Sequence, residues 1–208
     1  DVCSSDLFSK KGIKLALGHS DADYKTTNQA IEAGASIAIH LFNGMRSIHH
    51  REGGIVLASL LHEEIHTEMI TDHIHLSPEI VKLIQKMKDE KCYCVSDCMA
   101  ATGLSDGIYQ LGKQEVVVKD QRARTPSGSL AGSTTTLYKS FQQMKETFNE
   151  APEVMVSYFS KNVAKAIGAA EIGSIKKGYK GDFIVVDQAF EIVATIIEGQ
   201  VIYEREGI

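Results

Sequence analysis

Several features are missing from this 208-residue sequence, and each absence narrows what it can do. There is no excess of positive charge: 22 Lys and Arg stand against 27 Asp and Glu, for a formal charge of -5. The two signs are interspersed, so the basic footprint of a nucleic-acid or anionic-membrane partner is lacking. No apolar run reaches the roughly 18 residues of a membrane-spanning helix, and no charged region followed by an apolar core marks the start for export. The expectation is a cytoplasmic protein with a small-molecule partner, no nucleic acid and no membrane. Cysteine is scarce, and three of the four residues, Cys92, Cys94 and Cys98, crowd into one stretch rather than spreading as a disulfide framework would. No G-x-G-x-x-G follows an apolar strand-like run, which argues against a dinucleotide site.

The 43% of apolar residues suffices for the core of one or two domains. Residues 1–7, "DVCSSDL", look like the translation of a sequencing-adapter tail and are set aside. On that reading the native protein continues upstream of Phe8. Onward, "GIKLALGHS" reads as a short strand, and "DYKTTNQAIEAG" as a helix with Asp21 or Asp23 as N-cap and Gly34 as C-cap. "SIAIHLFNG" reads as a strand, "GGIVLASLLHEE" as a short helix and "IHTEMIT" as a strand. "SPEIVKLIQKMKDE" follows as a helix with Pro78 in its first turn, then the strand "CYCVSD". Strands alternating with helices argue for parallel βαβ units, in an open doubly wound sheet or a (β/α)8 barrel.

The chemistry at the strand ends favours the barrel. The first strand ends in His19 and the second in His40, the third runs into "TDHIH" with Asp72, His73 and His75, and the fourth ends in Asp97. Barrel active sites are built at that end of the strands. Imidazoles suit zinc, iron and similar divalent ions, and a neighbouring carboxylate can take a proton from water. A lone strand-end His is more often structural, and a strand-end Asp is often a helix cap. Their recurrence in successive units is what points to a metal-assisted site. A two-residue period puts His40 on one strand face with Ala38 and Ser36, facing a crowded lumen, and Ile37, Ile39 and Leu41 on the other, facing helices. Cys92 and Cys94 fall opposite Asp97 and read as buried thiols packed outward, because C-x-C-x3-C is a weak zinc spacing.

The loop "NGMRSIHHREGG" offers the Asn43 amide, the Gly44 backbone N–H, the Arg51 guanidinium and a helix N-terminus at Gly53-Gly54, together a clamp for phosphate or carboxylate. The plain alternative is a solvated loop with an Arg51–Glu52 surface pair. Farther on, "SDCMAATGLSDGIYQLG" carries Asp97 into a glycine-containing loop, and "EVVVKDQRART" reads as a hairpin. In "SGSLAGSTTTLYKSFQQMKETF", Ser133 or Thr134 is placed to cap a long helix. A helical segment runs from Pro152 to about Ala166, and three short glycine-punctuated strands close the chain as a separate β unit.

"LGHSDADY", "HLFNGM", "HHREGG", "TDHIHLSPE", "VSDCMAATGLSDGIYQLG" and "LAGSTTTL" together resemble the N-acetylglucosamine-6-phosphate deacetylase family of the amidohydrolase superfamily, from about Gly12 to the C-terminus. The resemblance implies the C-terminal half of a (β/α)8 TIM-type amidohydrolase barrel over residues 8–168, and part of a small β-sandwich domain over 169–208. It implies hydrolysis of the acetamide of N-acetylglucosamine 6-phosphate in amino-sugar catabolism, and a divalent cofactor, zinc or iron, as one or two ions. By motif, His19 and His40 match metal ligands and Asp97 the catalytic aspartate. Asn43, Gly44 and Arg51 match phosphate-binding positions, the arginine reaching the neighbouring subunit's site in the family's homodimer. His75 matches a substrate-contacting histidine, and Leu130, Ala131, Gly132 and Ser133 match a loop over the sugar. Gly44 stands where alanine is usual, His73 where glycine is, and Cys98 where alanine is. A barrel needs about 250 residues, so the remaining ligands, a glutamate and in many members an H-x-H pair, are expected upstream and the chain alone is expected to be inactive. Open alternatives are another amidohydrolase acting on a cyclic or linear amide, and a non-catalytic metal-binding fragment.

Overall fold

The computed structural model describes residues 8–206; the adapter-like stretch 1–7 lies outside the described residues. Four parallel strands, β1 (Leu15–Leu17), β2 (Ala35–Ala38), β3 (His66–Met69) and β4 (Cys92–Cys94), form one sheet in chain order. Helices α1 (Tyr24–Glu32), α2 (Gly54–Leu61) and α3 (Pro78–Lys88) connect them. Consecutive parallel neighbours joined by helical crossovers are the repeating unit of a (β/α)8 barrel.

Local chemistry fixes these elements. Asp23 caps α1, its Oδ1 accepting from the Thr26 N–H at 2.7 Å, and Gly34 follows the helix at φ 104°. Helix α3 starts on Pro78, carries Glu79 in its first turn and Lys86 and Lys88 in its last, and buries Val81 and Ile84. Lys88 bends inward, and its Nζ donates to the carbonyls of Ser59 (3.0 Å) and His62 (2.6 Å) at the end of α2. Burial lowers that ammonium's pKa to about 8.

The core lies between the sheet and the helices, where Leu41, Ile55, Val56, Ile65, Met69, Val81, Ile84 and Met144 are buried together. Each such side chain contributes about 1.5–3 kcal/mol by leaving water. Leu41 is on the helix side as expected, but register corrects the expected faces of Ala38 and Ile37. Ala38 pairs with Thr67 and lies in this helix-side core, whereas Ile37 pairs with His66 and is buried outside it. Partners in a parallel ladder share a face, so Ala38 meets the helices and Ile37 the opposite side. Cys92 and Cys94 are on the helix side as expected, with Cys94 Sγ 3.4 Å from Met144 Sδ.

After β4 the rhythm breaks. Strands β5 (Gly107–Leu111), β6 (Gln114–Lys119) and β7 (Arg122–Arg124) form an antiparallel sheet. The expected hairpin is thus β6–β7, and β5 occupies part of what the sequence presents as loop. Helix α4 (Leu137–Thr147) is capped by Thr136, whose Oγ1 accepts from the Lys139 N–H, and not by Ser133 or Thr134. The segment after Pro152 is two helices, α5 (Pro152–Phe159) and α6 (Lys161–Ile167), separated at Ser160. From α6, Asn162 Nδ2 donates to the Cys92 carbonyl at 2.9 Å and ties the helix to the start of β4. Strands β8 (Phe183–Val186), β9 (Ile192–Ile197) and β10 (Gln200–Glu204) form a second antiparallel sheet. Phe190, between β8 and β9, packs against Phe141 of α4. None of the described helices is long and apolar enough to cross a membrane.

Candidate active site

The candidate residues lie just beyond the strands, not on them. β1 stops at Leu17, β2 at Ala38 and β4 at Cys94, two to three residues before His19, His40 and Asp97. Each parallel strand is followed by a non-glycine residue with positive φ: His19 at 45°, His40 at 27°, His73 at 59° and Asp97 at 47°. This backbone region costs an L-residue roughly 1–2 kcal/mol, and such strain gathers where side chains are aimed for function. The turn at His40 also explains why strand parity does not set its direction.

His19 and His40 meet edge to face, with ring centroids 4.7 Å apart and planes at 83°. His40 is buried and its Nδ1 has no hydrogen-bond partner among the described residues, while His19 is exposed. Glu68 on β3 holds the His40 turn. Its Oε2 accepts from the His40 N–H at 3.1 Å, its backbone carbonyl from the Leu41 N–H at 3.0 Å, and its Oε1 from the Tyr93 hydroxyl at 3.0 Å. Glu68 was invisible as a site residue in the sequence, where it is one polar position in "HTEM". Two adjacent imidazoles, one with an orphaned ring nitrogen, fit a share in a metal site. Among the described residues no group of three or more His, Cys, Asp or Glu is arranged to hold an ion.

The loop after β2 is held close by. Asn43 Nδ2 donates to the carbonyls of His40 and Leu41 at 3.2 and 3.3 Å, which keeps the side-chain amide within its own turn. Gly44 sits at φ 62°, and a Cβ there would stand 2.8 Å from His19 Nδ1, so the missing methyl lets the loop pass against that ring. Arg46 forks onto Asp21, with both hydrogen bonds at 2.8 Å, and pins the loop to the β1–α1 connection. Arg51 is exposed, its Nη1 2.6 Å from His50 Nε2. The anion site expected at Gly53-Gly54 is corrected. Glu52 Oε1 already accepts from Gly54 N–H at 3.0 Å and from Tyr24 N–H at 2.9 Å, so the chain's own carboxylate fills it. Those bonds hold the Glu52 carboxyl below its ordinary range.

A second cluster joins the segments after β3 and β4 to the loop ahead of α4. His75 Nδ1 lies 2.8 Å from Asp72 Oδ2, with the two side chains only 5% and 4% exposed. Asp72 Oδ1 accepts from the N–H groups of Ile74 and His75, both at 2.9 Å. Burial would push the Asp72 carboxyl up, but the His75 ring and these N–H groups outweigh it and hold the group below the usual carboxylate range. Ser133 Oγ donates to Asp72 Oδ2 at 3.1 Å. Its N–H donates to the Asp97 carbonyl at 2.8 Å, and its own carbonyl accepts from Met99 N–H at 2.9 Å. In the same loop, Gly132 sits at φ 66° close to the Asp97 carbonyl, Ala131 is buried in the β5–β7 cluster and Leu130 bridges to Arg124. The segment Leu130–Ser133 is therefore fastened to the Asp97 backbone and, through Asp72, to His75. Asp97 itself is exposed.

The two strand thiols, Cys92 and Cys94, are buried away from the site. Cys92, Cys94 and Cys98 are free, and burial drives the Cys92 thiol up to about 12 and raises the Cys94 thiol as well.

A model of the amidohydrolase family matches residues 9–202. The chain belongs to the amidohydrolase family. It is 36% identical over 93% of its length to an N-acetylglucosamine-6-phosphate deacetylase of Vibrio furnissii, of which it covers 49%. It is 35% identical over 93% of its length to the Bacillus subtilis protein of the same description, again covering 49% of it. A crystal structure of N-acetylglucosamine-6-phosphate deacetylase from Thermotoga maritima superposes with a TM-score of 0.91 at 33% identity, over 96% of this chain and 55% of that one. The chain thus spans about half the length of the curated relatives it matches, and its four βα units are those of an amidohydrolase barrel.

Proposed function

We propose that this chain is the C-terminal half of an N-acetylglucosamine-6-phosphate deacetylase, a hydrolase of the linear amide of a phosphorylated amino sugar. The observation that carries the reading is the His19–His40 pair standing beside the Gly44 turn, in a chain that aligns with deacetylases of that description. His19 and His40 would hold a divalent ion, zinc or iron, together with donors from the rest of the barrel. Such an ion supplies Lewis acidity to an amide carbonyl and to water. Asp97 would accept the proton of the attacking water and return it to the departing amine, so that the C–N bond breaks to free acetate and glucosamine 6-phosphate. Arg51, exposed beyond its turn, would reach across a homodimer to the 6-phosphate in the neighbouring subunit's site. Gly44, and Asn43 with its amide turned from the carbonyls of its own turn, would line the phosphate in this chain's own site. Binding energy at the phosphate would orient the acetamide, which is remote from it. The segment Leu130–Ser133 would close over the sugar, and residues 169–208 would form part of a small β-sandwich domain beside the barrel portion, 8–168. A phosphorylated sugar does not cross a bilayer unaided because its charge is costly to desolvate, which supports a cytoplasmic enzyme of amino-sugar catabolism.

The test joins the N-terminal half of the Vibrio furnissii relative to this chain and measures acetate release with zinc or iron present. N-acetylglucosamine 6-phosphate is expected to be hydrolysed, and Asp97→Asn to abolish turnover while substrate still binds. A folded, metal-loaded joined enzyme that leaves the phosphosugar intact, or an Asp97→Asn variant with undiminished turnover, would overturn the proposal.

A further inference from the structure

The carboxylate of Asp72 is nearly sealed from solvent, yet it joins two segments: its own turn, including the ring of His75, and the hydroxyl of Ser133. We infer that Asp72 is a positioning residue that fixes the tautomer of His75, so that this ring presents Nε2 as a hydrogen-bond acceptor to a substrate hydroxyl. The inference rests on the proposed deacetylase reading for its substrate and on the geometry for the rest.

The division of labour between the two carboxylate oxygens carries the argument. Oδ1 is committed to the backbone N–H groups of Ile74 and His75, which fixes the carboxylate plane. Oδ2 is therefore the atom left facing His75 Nδ1 at 2.8 Å, and a carboxylate can only accept. A neutral imidazole has one N–H, and this contact places it on Nδ1, leaving the lone pair on Nε2. Ser133 Oγ–H donates to the same Oδ2, while the Thr135 N–H donates to Ser133 Oγ at 3.0 Å and orients that hydroxyl. The only hydrogen on the serine oxygen is thereby turned to the carboxylate. An acceptor Nε2 selects a ligand group with a proton to give, which a sugar hydroxyl has and an ether or ester oxygen lacks.

The geometry also says what a near-isosteric change would do. In Asp72→Asn the amide oxygen would stay on the two backbone N–H groups, leaving Nδ2 opposite His75 Nδ1. An NH2 group donates, so Nδ1 would have to give up its hydrogen and Nε2 would gain it. A carboxylate that accepted no hydrogen bond from His75 Nδ1 would show no such reversal.

The test is 15N NMR of the His75 ring in the full 208-residue chain, at alkaline pH where the imidazoles are neutral, with the signal assigned by its loss in His75→Gln. The Nδ1–H tautomer is expected in the unsubstituted chain, the Nε2–H tautomer in Asp72→Asn, and no change in Ser133→Ala. An Nε2–H ring in the unsubstituted chain overturns the inference outright, so a poorly folding variant does not shield it. An unchanged tautomer in a folded Asp72→Asn chain overturns it equally. In the joined enzyme, Asp72→Asn is expected to raise KM for the phosphosugar at least about tenfold through the reversed donor pattern, and an unchanged KM would refute the substrate contact. If the tautomer result holds while the joined enzyme is inert, the deacetylase reading fails and the positioning role of Asp72 stands.

Discussion

The rings of His19 and His40 stand edge to face, 4.7 Å between centroids, although 21 positions separate them in the chain. If both donate to one ion, their contributions are linked, because losing either leaves the other unable to hold the metal alone. Each of His19→Ala and His40→Ala in the joined enzyme is expected to weaken zinc binding by at least about tenfold, since even supporting residues around a metal cost that much. The double variant should lose less than the two single losses combined. Competition against a coloured chelator measures all three affinities, and fully additive losses would count against a shared ion.

Arg51 makes a prediction about the substrate rather than the metal. It is exposed, and its recorded side-chain partner is the neighbouring His50. A guanidinium paired with phosphate contributes about 1.5–3 kcal/mol as a charged hydrogen bond, so Arg51→Ala is expected to raise KM for N-acetylglucosamine 6-phosphate roughly 10- to 100-fold. Turnover of the unphosphorylated sugar should be nearly unaffected. Equal damage to both substrates in steady-state kinetics would place Arg51 outside the phosphate site.

Gly18 shows how tightly the segment entering the site is packed. A Cβ at this position would fall 2.1 Å from Ile39 Cγ1 and 2.5 Å from its Cδ1. Gly18→Ala is therefore expected to destabilise the fold by about 1–3 kcal/mol, the usual cost of overpacking. Ile39→Ala removes both clashing atoms, so it should recover most of that loss in the double variant. Urea denaturation of the four chains of this cycle gives the coupling, and a Gly18→Ala chain as stable as the parent would contradict the close approach.

The alternation of strand and helix was legible because β1 to β4 and their helices each carry local signals, such as the Asp23 cap and Pro78 at the start of α3. The face of β4 was legible too, with Cys92 and Cys94 toward the helices, but the faces of Ala38 and Ile37 on β2 were not. β2 has only four residues, and the positive-φ residue His40 soon after it resets the side-chain direction. Ser133 illustrates a different limit. Its place ahead of a helix suggests an N-cap, but its hydroxyl is claimed by Asp72, 61 positions away, and Thr136 caps the helix instead. Asp72 was marked only as one of the strand-end residues and Glu68 not at all, because the contacts they make to His75 and His40 are ones that no spacing rule encodes. Glu52 likewise occupies the helix end that its glycine neighbours seem to offer a ligand.

His66 gives the chain a pH dependence of its own, away from the metal and substrate residues. It pairs with Ile37 across the sheet, and its Nδ1 is buried without a partner among the described residues. Burial, followed by the fields of Lys91, Lys88, Lys14 and Lys165, lowers its pKa to about 4. In the unfolded chain the ring titrates near its ordinary value of about 6.5. Between these values the unfolded state binds the proton and the folded state does not, so falling pH favours unfolding across that window. Above about pH 6.5 both states are neutral, and the contribution to the slope vanishes. His66→Gln should therefore flatten the fall in stability between about pH 6.5 and about pH 4, whereas Asp72, whose carboxyl is held below its ordinary range, loses its contribution mainly at lower pH than that. Urea midpoints of the two chains across that range decide the matter. Parallel curves would mean that the ring is protonated as readily in the folded chain as in the unfolded one, and that its burial has no energetic consequence.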